Sequence, residues 1–448
     1  VDGGRFHLRI DARRKRQDAL HLAMNALLVT LLLFPLIGIF VVRRGWAEAW
    51  LMGLGLCGSL MFVGGVFSAA AAAIAVLLLF LSRAGASDPW RRTERYPRAA
   101  TILTIIPLVA IAFVATTIPL RDYDGRAFWL LKAKGIAFDR SVEGPFFRGE
   151  EVFDPRNDYP LLMPLNASLA MRAVHHLDDR HVRLLYFLTF AAFVFMVRER
   201  LARFVSAQAG AWCAALLAWL PQFLVAPEGG VTSAYCDIAF AAFVAGAFFE
   251  LLANESPQRF SLWLAFLILT KNEGLPFAIV LLAAGAFVFR RRVVEALAAP
   301  AIALLTLAMW RHDIPASEQE NVIALLPTLP QKLDRLAPAL RALFAHAGSF
   351  AQWGVFWFAL VVAAIVARRR GAIASVVIAA MLAVYVAVYT ITTWVQSDLI
   401  NSSADRLLMH FAGPALFLIA SAAFQPWMRT KSMKPFSTSV ATSFTRTF

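Results

Sequence analysis

The sequence predicts an all-α, polytopic helical membrane protein, on three observations. Hydrophobic residues make up 60% of the 448-residue chain and charged residues only 16%, a balance too apolar for an ordinary soluble domain. Apolar runs of roughly 17–25 residues, the length that crosses a bilayer as a helix, recur along the chain. Arginines and lysines gather between alternate runs, as they do on cytoplasmic loops. The net charge of +14 is therefore read as a topological bias and not as a nucleic-acid surface.

The runs predict about 12–13 spans, at 20–42, 47–63, 66–82, 99–120, 182–197, 205–225, 232–252, 260–270, 274–289, 293–310, 351–367, 372–394 and 407–424. The first is expected to be a span and not a signal peptide, because its apolar run is long and no small-residue cleavage site follows. The runs 260–270 and 274–289 are too short to cross alone. Lys271-Asn272-Glu273-Gly274 between them predicts two short helices meeting at a polar turn.

Basic stretches set the orientation. Residues 83–98 hold five arginines, Arg198, Arg200 and Arg203 follow the fifth span, and Arg290-Arg291-Arg292 and Arg368-Arg369-Arg370 are triplets. The tail carries Arg429, Lys431 and Lys434. With these in the cytoplasm, the connections 121–181, 226–231, 271–273, 311–350 and 395–406 fall outside in strict alternation. The N-terminus breaks the scheme, since three early spans put Arg13-Arg14-Lys15-Arg16 outside; either one early span is misread or the rule fails there. The chain divides into N-terminal spans with a basic loop (1–98), a membrane module with two external loops, 121–181 and 311–350 (99–424), and a tail (425–448). Within 311–350, residues 332–343 have the apolar spacing of an interfacial helix. The tail is Ser/Thr-rich and expected to be disordered.

Polar residues then mark candidate chemistry. Asp122, Asp124, Asp139, Glu143, Glu150, Glu151, Asp154, Asp158, Asp178 and Asp179 are ten of the chain's 29 acidic residues, all in one external loop. Three clusters share the external face: Asp122, Asp124 and Arg126; Lys271 and Glu273 with Asp237 and Glu228; and Ser397-Asp398 through Asp405-Arg406, with His410 one turn further on. Carboxylates and cations at one face suit a reaction that needs a general base and a phosphate clamp.

Each cluster also has a plainer reading. Asp124 precedes an amphipathic stretch, 126–138, and could be its N-cap. Trp129, Lys132 and Lys134 fit an interfacial aromatic belt with snorkelling cations. Arg406 could be an interfacial anchor. Lys271 at a helix break is less easily dismissed, because such breaks line cavities and bind charged ligands. Asp154 and Asp158 flank Pro155 and fit turn chemistry. His175, His176, Asp178, Asp179 and His181 match no metal-ligand spacing and read as a solvated loop. Cys57, Cys213 and Cys236 form no CxxC pair, so neither disulfide framework nor zinc knuckle is indicated. No GxxxxGK[ST] or GxGxxG lies between a strand and a helix, which speaks against a soluble nucleotide donor.

In order along the chain, these clusters resemble the GT-C integral-membrane glycosyltransferases, closest to the family 39-like group of protein O-mannosyltransferases and lipid A aminoarabinose transferase. Asp124-Gly125-Arg126-Ala127-Phe128 running into Lys132-Ala133-Lys134 is similar to the start of that family's first external loop, with Gly125 where a second carboxylate is usual. Asp158-Tyr159-Pro160-Leu161-Leu162 is similar to the element that ends the loop. Ser233 to Ala239, with Asp237, is similar to an external helix start. Thr270-Lys271-Asn272-Glu273-Gly274 is similar to a Lys-bearing turn. Asp405-Arg406-Leu407 through Pro414 is similar to the start of a late span. The three spans before residue 100 depart from the family plan.

The resemblance implies inverting transfer of a sugar from a polyprenyl-phosphate carrier to a lipid, glycan or protein acceptor hydroxyl, at the outer face of a bacterial inner membrane. It makes Asp124 the first-choice base and Asp122 the second, with Lys271, Arg406 and Arg126 as phosphate contacts. Asp237, Glu273, Tyr159, Asp158 and His410 are further candidates. Membrane lipids are expected partners and nucleic acid is not; no metal site is assigned, and a divalent-metal requirement stays open. The rival readings are a secondary transporter or flippase, another membrane transferase using the same lipid donors, and a non-enzymatic scaffold. No clear internal repeat supports the transporter.

Overall fold

The computed structural model describes residues 23–39, 41–42, 45–81, 95–149, 158–174, 179–226, 228–312, 314 and 322–424, side chains of 64–81, 322–323 and 368–370 excepted. Among these residues the fold is helical, with no strand. Its main helices are α1 (Ala23–Ile39), α2 (Trp46–Leu81), α3 (Arg98–Thr117), α4 (Leu130–Asp139), α5 (Leu162–Ala173), α6 (Asp179–Phe204), α7 (Ala207–Trp219), α8 (Asp237–Ala253), α9 (Pro257–Thr270), α10 (Gly274–Phe289), α11 (Ala298–His312), α12 (Leu336–Ala347), α13 (Phe356–Ile391), α14 (Gln396–Met409) and α15 (Ala412–Ala423).

Among the described residues, four helices are long and apolar enough to cross a membrane, or up to six if each of two bent pairs counts as one span. α3 presents Ile102, Ile105, Ile106, Val109 and Phe113 outward, and α13 presents Phe358, Val361, Val362 and Ile365. Such faces suit lipid, because a helix satisfies its own backbone there. The fold is thus compatible with a multi-pass helical membrane protein.

The sequence predicts more spans than these, and the difference has local causes. Pro221 follows α7 after only 13 residues, since proline cannot continue the hydrogen-bond ladder. α8 begins at Asp237, after a 3-10 turn at Val231–Ser233 and a left-handed Ala234. A 3-10 stretch, Arg290–Ala296, separates α10 from α11, and the axes bend by 58°. The predicted break between 47–63 and 66–82 is absent: helical backbone continues from Trp46 to Leu81. The expected connection 395–406 is helix α14, bent 54° from α15 at His410-Phe411.

α13 is helical from Phe356 to Ile391, yet Trp357 and Tyr385 both pack on Phe411, with ring centroids at 6.2 and 5.7 Å. A straight helix would hold those two residues about 42 Å apart. The chain therefore forms two legs that double back near Gly371, which abuts Leu418 of α15. The basic triplet at 368–370 predicts that reversal.

Two charged layers sit at opposite ends of α8. At its C-terminal end Arg200 bonds Glu48 and, at 2.5 Å, Glu250; all three are buried. Arg259 reaches Glu250 at 3.3 Å, and Arg203 pairs with Glu255. Phe34 of α1 packs on Trp50 of α2, and Gly45 abuts Glu199. The α1–α2 turn therefore lies at this far end, and α1 runs toward it. Arg13–Arg16 lie outside the described residues, as do 82–94 and the tail. At the other end of α8, roughly 20 Å away at 1.5 Å per residue, Asp237 opens the second charged layer.

Candidate functional site

The five connections predicted to lie on one face meet at the Asp237 end. Asp124 Oδ2 lies 3.7 Å from Arg406 Nη1, and Arg406 Nε lies 3.9 Å from Glu228 Oε2. The Arg406 guanidinium also stands over the Tyr235 ring at 5.0 Å. Arg311 donates to the Asp158 carbonyl at 2.8 Å and to Asn272 Oδ1 at 2.5 Å. His346 Nδ1 lies 2.9 Å from Asp405 Oδ2, which ties 311–350 to α14.

The first loop explains its own glycine. Asp124 has helical backbone angles and its side chain makes no capping bond, so it is not the N-cap of the segment it leads. A π-helical turn, Gly125–Trp129, follows and continues into α4. A Cβ at Gly125 would lie 1.9 Å from the Ser233 carbonyl oxygen. No side chain fits there, so the second carboxylate cannot come from position 125. Glu228, from a different loop, is a second carboxylate beside Arg406.

Behind Arg406 lies a buried chain of polar groups. Lys271 Nζ pairs with Asp237 Oδ1 at 2.8 Å and with Glu273 Oε1 at 3.4 Å. His410 Nε2 lies 3.1 Å from the same Asp237 oxygen, and His410 Nδ1 lies 2.5 Å from the Tyr385 hydroxyl. Facing an ionised carboxylate, Nε2 carries the proton, so Nδ1 accepts from Tyr385. The neighbouring Tyr389 hydroxyl bonds Ser403 at 2.8 Å. Asp237, Lys271 and His410 are all buried, so these bonds satisfy groups that water cannot reach.

The two predicted phosphate cations therefore differ. The Lys271 ammonium is committed to two carboxylates. Arg406 keeps longer contacts, and its Nε has no hydrogen-bond partner, so it is the cation with capacity for an anionic ligand. Arg126 is exposed, and its charge bears on Asp122. Burial raises the Asp122 carboxyl above its ordinary value, with its backbone N–H and the charges of Arg183 and Arg126 opposing. Glu228 is likewise raised, first by burial and then by Asp124, Asp237 and Asp122, against the Arg406 charge.

Other expectations are corrected. Trp129 is buried against Phe128 and Tyr159, with centroids at 4.6 and 5.6 Å, and is not an interfacial belt residue. Lys132 is fully buried with its ammonium 3.4 Å from the Phe128 centroid, so it does not snorkel. Lys134 pairs with Asp179 at 2.9 Å. Asp158 contributes its carbonyl to the site through Arg311. His175, His176, Asp178, Asp154 and Pro155 lie outside the described residues; among the described ones no His/Cys/Asp/Glu group could hold a metal ion. The three cysteines are free and buried.

Sequence reasoning missed Tyr385, Tyr389 and Arg311, which sit in or beside apolar runs. A tyrosine pair at i, i+4 in an otherwise aliphatic span was the available signal. The chain matches no protein-family model, no curated protein and no solved structure.

Proposed function

We propose that the protein is a GT-C-like glycosyltransferase. It moves a sugar from a polyprenyl-phosphate carrier to an acceptor hydroxyl, with inversion, at the periplasmic face of a bacterial inner membrane. The observation that carries this reading is the convergence of Asp124 and Arg406, from segments 282 residues apart, at 3.7 Å in one partly exposed site. Asp124 takes the acceptor's proton. The acceptor oxygen attacks the anomeric carbon, and the sugar–phosphate C–O bond breaks with its electron pair going to the phosphate. Arg406 stabilises the charge that develops there, where a fixed cation is worth most. Glu228 and the Asp237–Lys271–His410 chain hold the surrounding charge in place. The acceptor is a lipid, glycan or protein hydroxyl, and the apolar spans would accommodate the isoprenoid.

The test is sugar transfer from polyprenyl-phosphate donors by purified protein in nanodiscs. Asp124→Asn abolishes transfer while Asp122→Asn keeps most of it. The reverse pattern moves the base to Asp122, and full activity in both variants sinks the proposal. A second reading, an ion-coupled transporter or flippase, draws on the fully buried Asp237, Lys271 and His410 beside a helix break. It is favoured if lipid-phosphate movement across vesicles depends on Asp237 while no transfer is found.

A further inference from the structure

An open cleft of about 170 Å³ lies beside Arg406 and shares Glu228 and Arg406 with the proposed site, and the reaction described above assigns no ligand to its remaining wall. Its wall is built mostly from polar residues: Glu228, Gln352, Asn401, Ser402, Asp405 and Arg406 line it with Gln222, Ser403 and Ala226, and the carbons of these side chains add apolar surface. These groups come from three separate segments, so the polarity is not one solvated helix face. Several are held in place before any ligand arrives. Asp405 is fixed by His346 at 2.9 Å and by the Trp353 indole N–H at 3.1 Å. Ser403 bonds Tyr389. Gln222 is buried and donates to the Glu228 carbonyl at 3.0 Å, which pins the loop that carries Glu228.

The chemistry of the wall selects a ligand class. Two carboxylates and one guanidinium leave the cleft formally negative, so an anion would find its cationic partner only in Arg406. Two of its amides, Gln352 and Asn401, and two hydroxyls offer both donors and acceptors at short intervals. That pattern matches a ligand dense in hydroxyls, whose ring carbons can rest on the apolar parts of the wall. We infer that this cleft binds a single sugar ring, presenting a hydroxyl toward Arg406 and Asp124, so that the acceptor is a glycan and not a protein or lipid hydroxyl. The inference rests on the glycosyl-transfer reading for its role in catalysis, but sugar binding in the cleft is testable separately.

The experiment is saturation-transfer NMR on the protein in nanodiscs, with a mixture of methyl pyranosides and cyclohexylmethanol as the apolar alcohol. Ring protons of at least one methyl pyranoside receive saturation, and cyclohexylmethanol receives none. Gln352→Leu/Asn401→Leu cuts the signal at least fivefold. Ser402→Phe, which fills the exposed cleft mouth without touching the core, does the same. No signal from any pyranoside, an undiminished signal in both cleft variants, or saturation of cyclohexylmethanol instead would each overturn the inference. Native mass spectrometry with decaprenyl phosphate is run on the same samples. If the pyranoside binds and decaprenyl phosphate does not, the donor assignment fails while the cleft assignment stands; the opposite result fails the cleft alone.

Discussion

Asp237 is the residue whose removal tests the buried chain most sharply. Its carboxylate holds the Lys271 ammonium at 2.8 Å and faces His410 Nε2 at 3.1 Å, with no exposure of its own. Breaking one side of a buried pair leaves the other charge unmatched in low dielectric, at a cost of about 3–5 kcal/mol. Glu273 remains 3.4 Å from Lys271 and takes up part of that charge. Asn at 237 can still accept from His410, which retains about 1 kcal/mol. Asp237→Asn is therefore expected near the lower bound and Asp237→Ala near the upper one. In the folded-to-unfolded ratio these are factors of roughly 150 and roughly 5,000. The assay is equilibrium unfolding by SDS titration from mixed micelles, followed by tryptophan fluorescence. Adding Lys271→Met to Asp237→Asn removes the orphaned cation and should recover at least 1 kcal/mol. An Asp237→Asn variant within about 0.5 kcal/mol of the parent, the range of ordinary surface changes, would refute the reasoning.

The other predictions concern the rim. Gly125→Ala, which drives a Cβ into the Ser233 carbonyl, is expected to destabilise by about 1–3 kcal/mol in the same titration. Gly125→Glu is expected to lower transfer, and a gain in activity would show that the loop can open to admit a side chain. Arg406→Lys keeps the charge but loses the planar fork, and should weaken decaprenyl phosphate binding about tenfold by native mass spectrometry; unchanged binding would place the phosphate elsewhere. Glu228 has a raised folded-state pKa, so its contribution to stability is fully present below the model-peptide value of 4.5 and is lost as pH rises through the folded value. Glu228→Gln should therefore be relatively more stable than the parent at pH 7, with the difference shrinking as pH falls toward 4.5. A difference that grows on acidification would reverse the assigned shift.

The sequence's charge alternation placed five distant connections on one face, and the structure brings Asp124, Glu228, Asn272, Arg311 and Arg406 together there. Loop polarity was legible because lysine and arginine positions carry topology directly. The two-helix turn at Lys271 was legible for a related reason, a polar tetrad interrupting an apolar run. Side-chain direction was not legible. Asp124 reads as a helix cap until its backbone angles show that the helix has already begun. Trp129 and Lys132 read as interfacial until their burial against Phe128 is seen. Hydropathy registers apolar content and not where a proline divides a run, as Pro221 does within 205–225. The Tyr385–His410 bond was out of reach, since only the reversal of α13 brings residue 385 beside the bend at 410.

That reversal has a mechanical consequence. Phe411 stacks on Phe277 at 6.0 Å and also touches Trp357 and Tyr385. One ring at the α14–α15 bend thus serves as a common axle for α10 and both legs of α13. Rotation or sliding of any one of these helices costs its contact with the ring, and displacement of the α14–α15 bend costs all three at once. A carrier that exposes its site alternately to two sides would have to unseat this ring on every cycle, whereas a site that holds still while ligands come and go would never disturb it.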